Sequence, residues 1–446
     1  MSHNTENVDS PANVSSRLRT MSVVFAAMGE FIDGYDIAVV GTAIIFLTPL
    51  FHLDKLTTGI LLASGFAGAV VGQLSFGYVS DRLGRRFVYL FNLIIFIIFA
   101  VLSALVTNVD ELIALRLAIG FAIGMDIPAT LAYLTEISPS AVRGRNVGIS
   151  QVMWAIGLFS TAILAYALLP LGKIEWRVMF AIGAIPALAV WIGRRFIPES
   201  PRYLAKIGDW EGAKRNAQRL GLSFDVLTLQ QNQPHKQTSR FTELFGKQYR
   251  SRTVAVSIFF VAVGLTGPIT TISTPYILNS VGVFTHAEIL LFTAAVYVGD
   301  LLGALVGSLL IDKMKRRILG IGMLIGTIVT AYLMSLVGLG LHIGEVLVAS
   351  YLGFGFFLWG GPIVIQRLMG SELFPTRIRA SAQGFVSVWL QALAAASTFL
   401  VPIGLAAIGG VTFISILALS LFAFLVVLLV SPFLNTSKQE LEAISA

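Results

Sequence analysis

The chain has 446 residues, of which 56% are hydrophobic and only 12% charged, with a net charge of +7 and no cysteine. Soluble domains carry about a quarter charged residues, so an ordinary water-soluble globule is excluded. Disulfides, thiolate metal sites and cysteine nucleophiles are excluded too.

In chain order, residues 1–20 are polar and lack the apolar core and small-residue cleavage site of a signal peptide. They read as a disordered cytoplasmic tail. Apolar runs follow at roughly 21–50, 56–79, 87–107, 111–137, 146–170 and 176–197. A polar stretch covers 198–251, within which Trp210 to Leu220 alternates apolar and basic residues at helical spacing. It predicts a short amphipathic helix on the inner surface. Six more runs occupy roughly 252–280, 287–311, 318–340, 344–371, 380–407 and 411–433, and a polar tail fills 434–446. A span takes ~20 apolar residues. The expected fold is therefore all-α and integral to a membrane, with twelve transmembrane helices. Six lie in 21–197 and six in 252–433, joined by the linker 198–251.

Lysine and arginine set the orientation. With both termini inside, 26 of the 31 basic residues fall in inner segments and 3 in outer loops, while Arg116 and Arg367 lie within spans. That is the positive-inside bias. The basic residues line an anionic leaflet rather than a nucleic-acid face. The expected location is the plasma or inner membrane, with cytoplasmic termini.

The halves repeat. Asp81-Arg82 with Arg85-Arg86 after the second run is matched by Asp312-Lys313 with Arg316-Arg317 after the eighth. Glu136, Pro139 and Arg143 after the fourth run are matched, at identical spacing, by Glu372, Pro375 and Arg379 after the tenth. Parallel six-span repeats are a layout of secondary transporters, with the substrate site between the halves.

Gly77-Tyr-Val-Ser-Asp81-Arg82-Leu-Gly84-Arg85-Arg86 resembles the signature of the major facilitator superfamily. Pro198-Glu199-Ser200-Pro201-Arg202 and Glu372-Leu-Phe-Pro375-Thr resemble sugar-porter motifs. Gly124-Met-Asp126-Ile-Pro128 resembles metabolite and phosphate proton symporters, and Phe31-Ile-Asp33-Gly34-Tyr35-Asp36 resembles aromatic-acid proton symporters. The resemblance implies two pseudo-symmetric six-helix bundles working by alternating access. The seventh span has no glutamine and the end of the twelfth lacks a Pro-Glu-Thr-Lys-Gly run, unlike sugar porters; the eleventh has no lysine, unlike phosphate symporters. The favoured reading is proton-coupled symport of a small polar metabolite, an organic anion ahead of a sugar. A sugar:proton symporter or a uniporter on the same fold is the alternative, and a substrate sensor a remote one.

An ionised side chain in a bilayer is costly and needs a reason. Glu30, Asp33, Asp36, Arg116, Asp126, Asp300 and Arg367 stand within spans. The resemblance to sugar porters implies that Asp36 pairs with Arg116. A switchable pair would couple protons; a permanent bridge would only join helices. Asp33, one turn away, shares that face and is a second proton-coupling candidate, or a contact to a neighbouring span. Glu30 is expected to be structural or snorkelling. Asp126 beside the helix-opening Pro128 and Asp300 are candidate substrate ligands, against bonds between helices. Gly299, Gly303 and Gly307 beside Asp300 read as a packing face. Arg367, whose fork suits a carboxylate, would bind an organic anion, or snorkel, or bind Glu372. Tyr35, Gln151, Trp154, Tyr276, Asn279, Gln366, Trp389 and Gln391 are candidate cavity residues, each open to a purely structural role.

The superfamily resemblance implies that the inner clusters are gates holding the halves together: Asp81, Arg82, Arg85, Arg86, Glu136, Arg143 and Arg145 in the first half, Asp312, Glu372 and Arg379 in the second. Glu199 and Arg202 join them from the linker motif. Asp81 and its arginines are expected to be solvated, facing Glu136 and Arg143 or Arg145. The five histidines are scattered, and no phosphate-cradling loop or nucleophile elbow occurs, so no enzyme activity, metal or cofactor is expected. The expected partners are a small molecule, protons and the bilayer, with no nucleic acid and a monomeric state.

Overall fold

The computed structural model describes residues 11–222, 241–282, 284–337, 345–375 and 378–430. Among them, ten helical segments are long and apolar enough to cross a membrane. One of these, Arg143–Arg194, holds two spans divided at the kink around Gly172, and the apolar helix Leu419–Leu429 supplies the last of twelve.

The first bundle comprises α1 (Pro11–Phe51), α2 (Lys55–Leu83), α3 (Arg85–Ser103), α4 (Val109–Ile137), α5 (Arg143–Leu168) and α6 (Glu175–Arg194). The linker contributes α7 (Pro201–Ile207) and α8 (Trp210–Arg219). The second bundle comprises α9 (Arg250–Thr271) with α10 (Thr274–Val281), α11 (His286–Leu310), α12 (Arg316–Val337), α13 (Glu345–Leu358) with α14 (Val364–Glu372), and α15 (Arg379–Val430). Within α15, Phe385 meets Phe245 while Phe424 meets Phe259, and Arg317 donates to the Leu429 carbonyl. Both ends of α15 therefore lie at one end of the bundle, and it runs as two antiparallel limbs.

Helix α1 starts at Pro11, so residues 11–20, expected as disordered tail, are helical. Arg19 donates to the Gly221 carbonyl and ties this extension to the linker. Residues 1–10 and 431–446 lie outside the described residues. Helix α8 buries Ala213, Ala217 and the following Leu220 against protein, and Asn216 donates to the Glu199 carbonyl.

Two interior breaks matter. Pro268 has no backbone donor, and α9 gives way to α10 just beyond it. Tyr297 donates to the Thr271 carbonyl at this break. Between α13 and α14, Trp359–Ile363 forms one widened turn containing Gly360, Gly361 and Pro362.

Equivalent helix pairs build each half, α2 on α4 and α11 on α13. Gly120 of α4 packs against the Gly65 carbonyl and Gly303 of α11 against the Phe356 carbonyl, so close that a Cβ would strike backbone. The halves meet mainly through α2 with α15 and α5 with α11. Large apolar side chains such as Val71, Leu105, Ile185 and Leu419 face outward, the surface that a lipid environment requires.

Candidate functional site

A central cavity of about 70 Å³ lies between the bundles. Gln73 of α2, Gln151 and Trp154 of α5, Gln366 and Arg367 of α14, and Gln383 and Gln391 of α15 line it. Trp359, Phe66 and Phe260 add aromatic surface. All five glutamines are buried, and the amide oxygen of each has no hydrogen-bond donor among the described residues. An amide offers an acceptor and donors together, a set suited to hydroxyl groups.

Of the cavity residues expected from sequence, Gln151, Trp154, Gln366, Arg367 and Gln391 are brought together here. The others are not among the lining residues. Tyr35 donates to the Met179 carbonyl at 2.7 Å and fastens α1 to α6. Tyr276 and Asn279 are partly exposed on α10. Trp389 is 40% exposed and packs on Phe385; two helical steps, ~200°, move it off the face that carries Gln391. Gln73, Gln383 and Trp359 were not singled out from sequence. The signal was available for the two glutamines, since each is a polar residue inside an apolar span.

Arg116 holds Asp36 through both carboxylate oxygens, at 2.7 and 2.5 Å, and also donates to the Asp36 carbonyl at 3.0 Å. Both side chains are buried, and the guanidinium lies over the Phe180 ring. The expected pairing is thus present in the geometry.

Asp126 is placed differently from a substrate ligand. Arg194 grips its two oxygens at 2.6 and 3.0 Å, and Thr130 donates at 3.2 Å. Arg194 also donates to the Phe25 and Ala26 carbonyls of α1. Arg194 lies at the end of the sixth apolar run and ends α6, fully buried. It is the bond to another helix that stood as the alternative for Asp126.

Arg367 meets Glu30 at 2.6 Å and lies over the Trp154 ring. It neither snorkels nor reaches Glu372, whose oxygens are taken by Arg143 and Arg316. Glu30 thereby links α1 of one bundle to α14 of the other. Asp33 is 4% exposed, and its Oδ2 has no donor among the described residues. Asp300 is fully buried beneath Gly355 of α13, away from the cavity wall.

The basic end carries a network with the symmetry of the repeat. Within the first bundle Arg85 bridges Asp81 at 3.0 Å and Glu136 at 2.9 Å. Arg316 bridges Glu372 in the second. Between bundles, Arg143 reaches Glu372 at 3.2 Å and Arg379 reaches Glu136 at 3.5 Å. Asp81 accepts from the Ser381 amide and hydroxyl at 2.8 and 2.7 Å. Asp312 accepts from the Gly144 and Arg145 amides at 3.1 and 2.7 Å. Each acid thus caps the opening turn of a helix in the other half. Burial pushes the Asp312 carboxyl up.

Asp81 and Arg85 are buried rather than solvated, and Asp81 turns to Ser381 instead of Arg143 or Arg145. Arg82 and Arg86 are exposed. Arg82 lies over Tyr78, and Arg86 donates to the Arg195 carbonyl. Arg145 takes part through its backbone. Glu199 accepts from the Arg86 and Ser200 amides at 3.1 and 2.8 Å, and burial pushes its carboxyl up. Arg202 opens α7 beside this cluster, within electrostatic reach of Arg379.

The family profile described as sugar (and other) transporter matches residues 22–446. The chain belongs to that family. The arabinose-proton symporter of Bacillus subtilis (strain 168) is 30% identical over 94% of this chain and 92% of its own length. The glucose transporter GlcP of Staphylococcus epidermidis is 30% identical over 82% and 83%. Among solved structures, the proton:xylose symporter XylE bound to 6-bromo-6-deoxy-D-glucose superposes with a TM-score of 0.85 at 22% identity, over 97% of this chain and 100% of that one. That likeness establishes the major facilitator fold. The chain is a multi-pass membrane transporter of the sugar-porter type, and not an enzyme.

Proposed function

We propose that this transporter is a sugar:proton symporter, with the basic end on the cytoplasmic side. The observation that carries the reading is the set of five buried glutamine amides around one cavity, their oxygens open to hydroxyl donors. The organic anion favoured from sequence is less well supported. Its expected ligand, Arg367, faces Glu30, while Arg116 and Arg194 are held by Asp36 and Asp126. The missing glutamines of the seventh span argued against a sugar, but the glutamines lining this cavity come from α2, α5, α14 and α15. The names of the relatives, an arabinose-proton symporter and a glucose transporter, point the same way.

Proton coupling is assigned to Asp36 and Arg116. Protonating Asp36 releases Arg116 from a bidentate bond, and the release frees α1 from α4 as the bundles rock. Orientation rests on the bias of basic residues toward one end.

The test uses purified protein in liposomes with an imposed pH gradient and D-xylose, L-arabinose and D-glucose as probes. Gradient-driven accumulation of at least one sugar is expected. Asp36→Asn should sharply lower accumulation yet keep sugar exchange across the membrane. Failure of all three sugars, with uptake of a carboxylate instead, would overturn the substrate class.

A further inference from the structure

Glu30, Asp33 and Asp36 stand three residues apart on α1, so each is one turn from the next along ~9 Å of helix. The outer two each have an arginine: Arg367 comes from α14 of the second bundle to Glu30, and Arg116 comes from α4 to Asp36. Asp33, in the middle, has neither a cation partner nor a donor to Oδ2 among the described residues. The groups facing it are Glu30 and Asp36 on its own helix, Asp126 of α4 and Arg194 of α6. Helices α2 and α5, which also pack on α1, carry their acidic and basic residues only near their ends.

The charges do not balance. Glu30, Asp33 and Asp126 meet two guanidiniums, those of Arg194 and Arg367, and both are already engaged by carboxylates. Gly29 presses α1 against the Asp126–Arg194 pair so closely that a Cβ there would strike both side chains, which fixes the cluster in place. An uncompensated buried carboxylate carries a large desolvation cost. A single bound proton removes that cost and leaves both ion pairs intact.

We propose that Asp33 is a second proton-binding site, separate from Asp36, and that the Glu30–Arg367 bond transmits its charge state to the other bundle. Loss of the proton places a negative charge one turn from Glu30. That charge competes for Arg367, which itself lines the cavity and lies over Trp154. The site thereby ties proton release to the contact between bundles beside the substrate. Transport then moves two protons with each sugar.

This stoichiometry rests on the symport reading above, so the experiment has one arm that does not need a substrate. In that arm, infrared difference spectra of the full-length protein are recorded between acidic and alkaline pH. The common background is Asp300→Asn, because Asp300 is a second fully buried carboxyl. A buried protonated-carboxyl band is expected in this parent and in Asp36→Asn, and is expected to vanish in Asp33→Asn. Its persistence in Asp33→Asn would overturn the proposal, whatever the substrate. The second arm measures D-xylose accumulation at equilibrium across a gradient of one pH unit with the membrane potential clamped at zero. Two protons give ~100-fold accumulation and one gives ~10-fold, since each pH unit is a tenfold gradient. Wild type is expected at the higher value and Asp33→Asn at the lower. Equal values for the two would overturn the proposal. No accumulation in wild type would count against D-xylose as substrate and leave the infrared arm to decide. Glu30→Gln with the infrared band retained would confirm that Asp33, not Glu30, holds the proton; loss of the band in Glu30→Gln but not in Asp33→Asn would reverse that assignment and overturn the proposal.

Discussion

Arg194 holds both carboxylate oxygens of Asp126 from the last turn of α6. The same guanidinium donates to two carbonyls of α1, so one buried charge pair joins three helices. Removing either partner leaves the other uncompensated, which typically costs about 3–5 kcal/mol. Asp126→Asn and Arg194→Gln should each lower the melting temperature in detergent, and the double substitution should recover part of the loss. Wild-type stability in either single variant would show that the pair is not a structural clamp.

The basic end makes a different demand. Asp81 and Asp312 each accept two bonds from the other half. A hydrogen bond to a charged group is worth about 1.5–3 kcal/mol. Asp81→Asn or Asp312→Asn should therefore move the balance between closed and open forms at this end by about tenfold or more. Since the chain has no cysteine, spin labels can be placed at the exposed positions Lys214→Cys and Lys315→Cys without background. Each aspartate variant should increase the population at longer distance, and the pair together should exceed either alone. An unchanged distance distribution would remove these acids from the gate.

The spans, their number and the pseudo-symmetry were legible because apolar runs, basic clusters and a repeated Glu–Pro–Arg spacing are local patterns. The partner of a buried charge is not local. Arg194 sits next to Arg195 at the edge of a polar stretch, and nothing in the sequence says that only the first turns inward. Glu30 and Arg367 are 337 positions apart in different halves; their meeting depends on how the bundles dock. Asp36 and Arg116 were paired by resemblance, not by spacing. Trp389 and Gln391 looked equivalent in sequence, but two residues on a helix lie ~200° apart, so only one faced the cavity.

The cavity's glutamines give a graded prediction. Loss of one hydrogen bond worth about 0.5–1.5 kcal/mol raises KM by about 2- to 12-fold. Gln151→Ala, Gln383→Ala and Gln391→Ala should fall in that range in sugar-uptake assays. Trp389→Ala, on an exposed face, should leave KM unchanged. A larger effect at Trp389 than at the glutamines would place the substrate elsewhere.

Glycines in the spans separate packing from propensity. Gly303 faces the Phe356 carbonyl with no room for a methyl group, whereas Gly322 of α12 has open space around its Cβ position. Replacing glycine by alanine inside a helix gains roughly 0.5–1 kcal/mol when nothing is struck. Overpacking against backbone costs about 1–3 kcal/mol. Gly303→Ala should thus lower the melting temperature while Gly322→Ala holds or raises it. Thermal unfolding of the two variants in the same detergent checks the contrast. An unchanged or raised melting temperature in Gly303→Ala would mean that α11 and α13 can separate by the width of a methyl group, and the close packing of the second bundle would not be what holds Asp300 beneath Gly355.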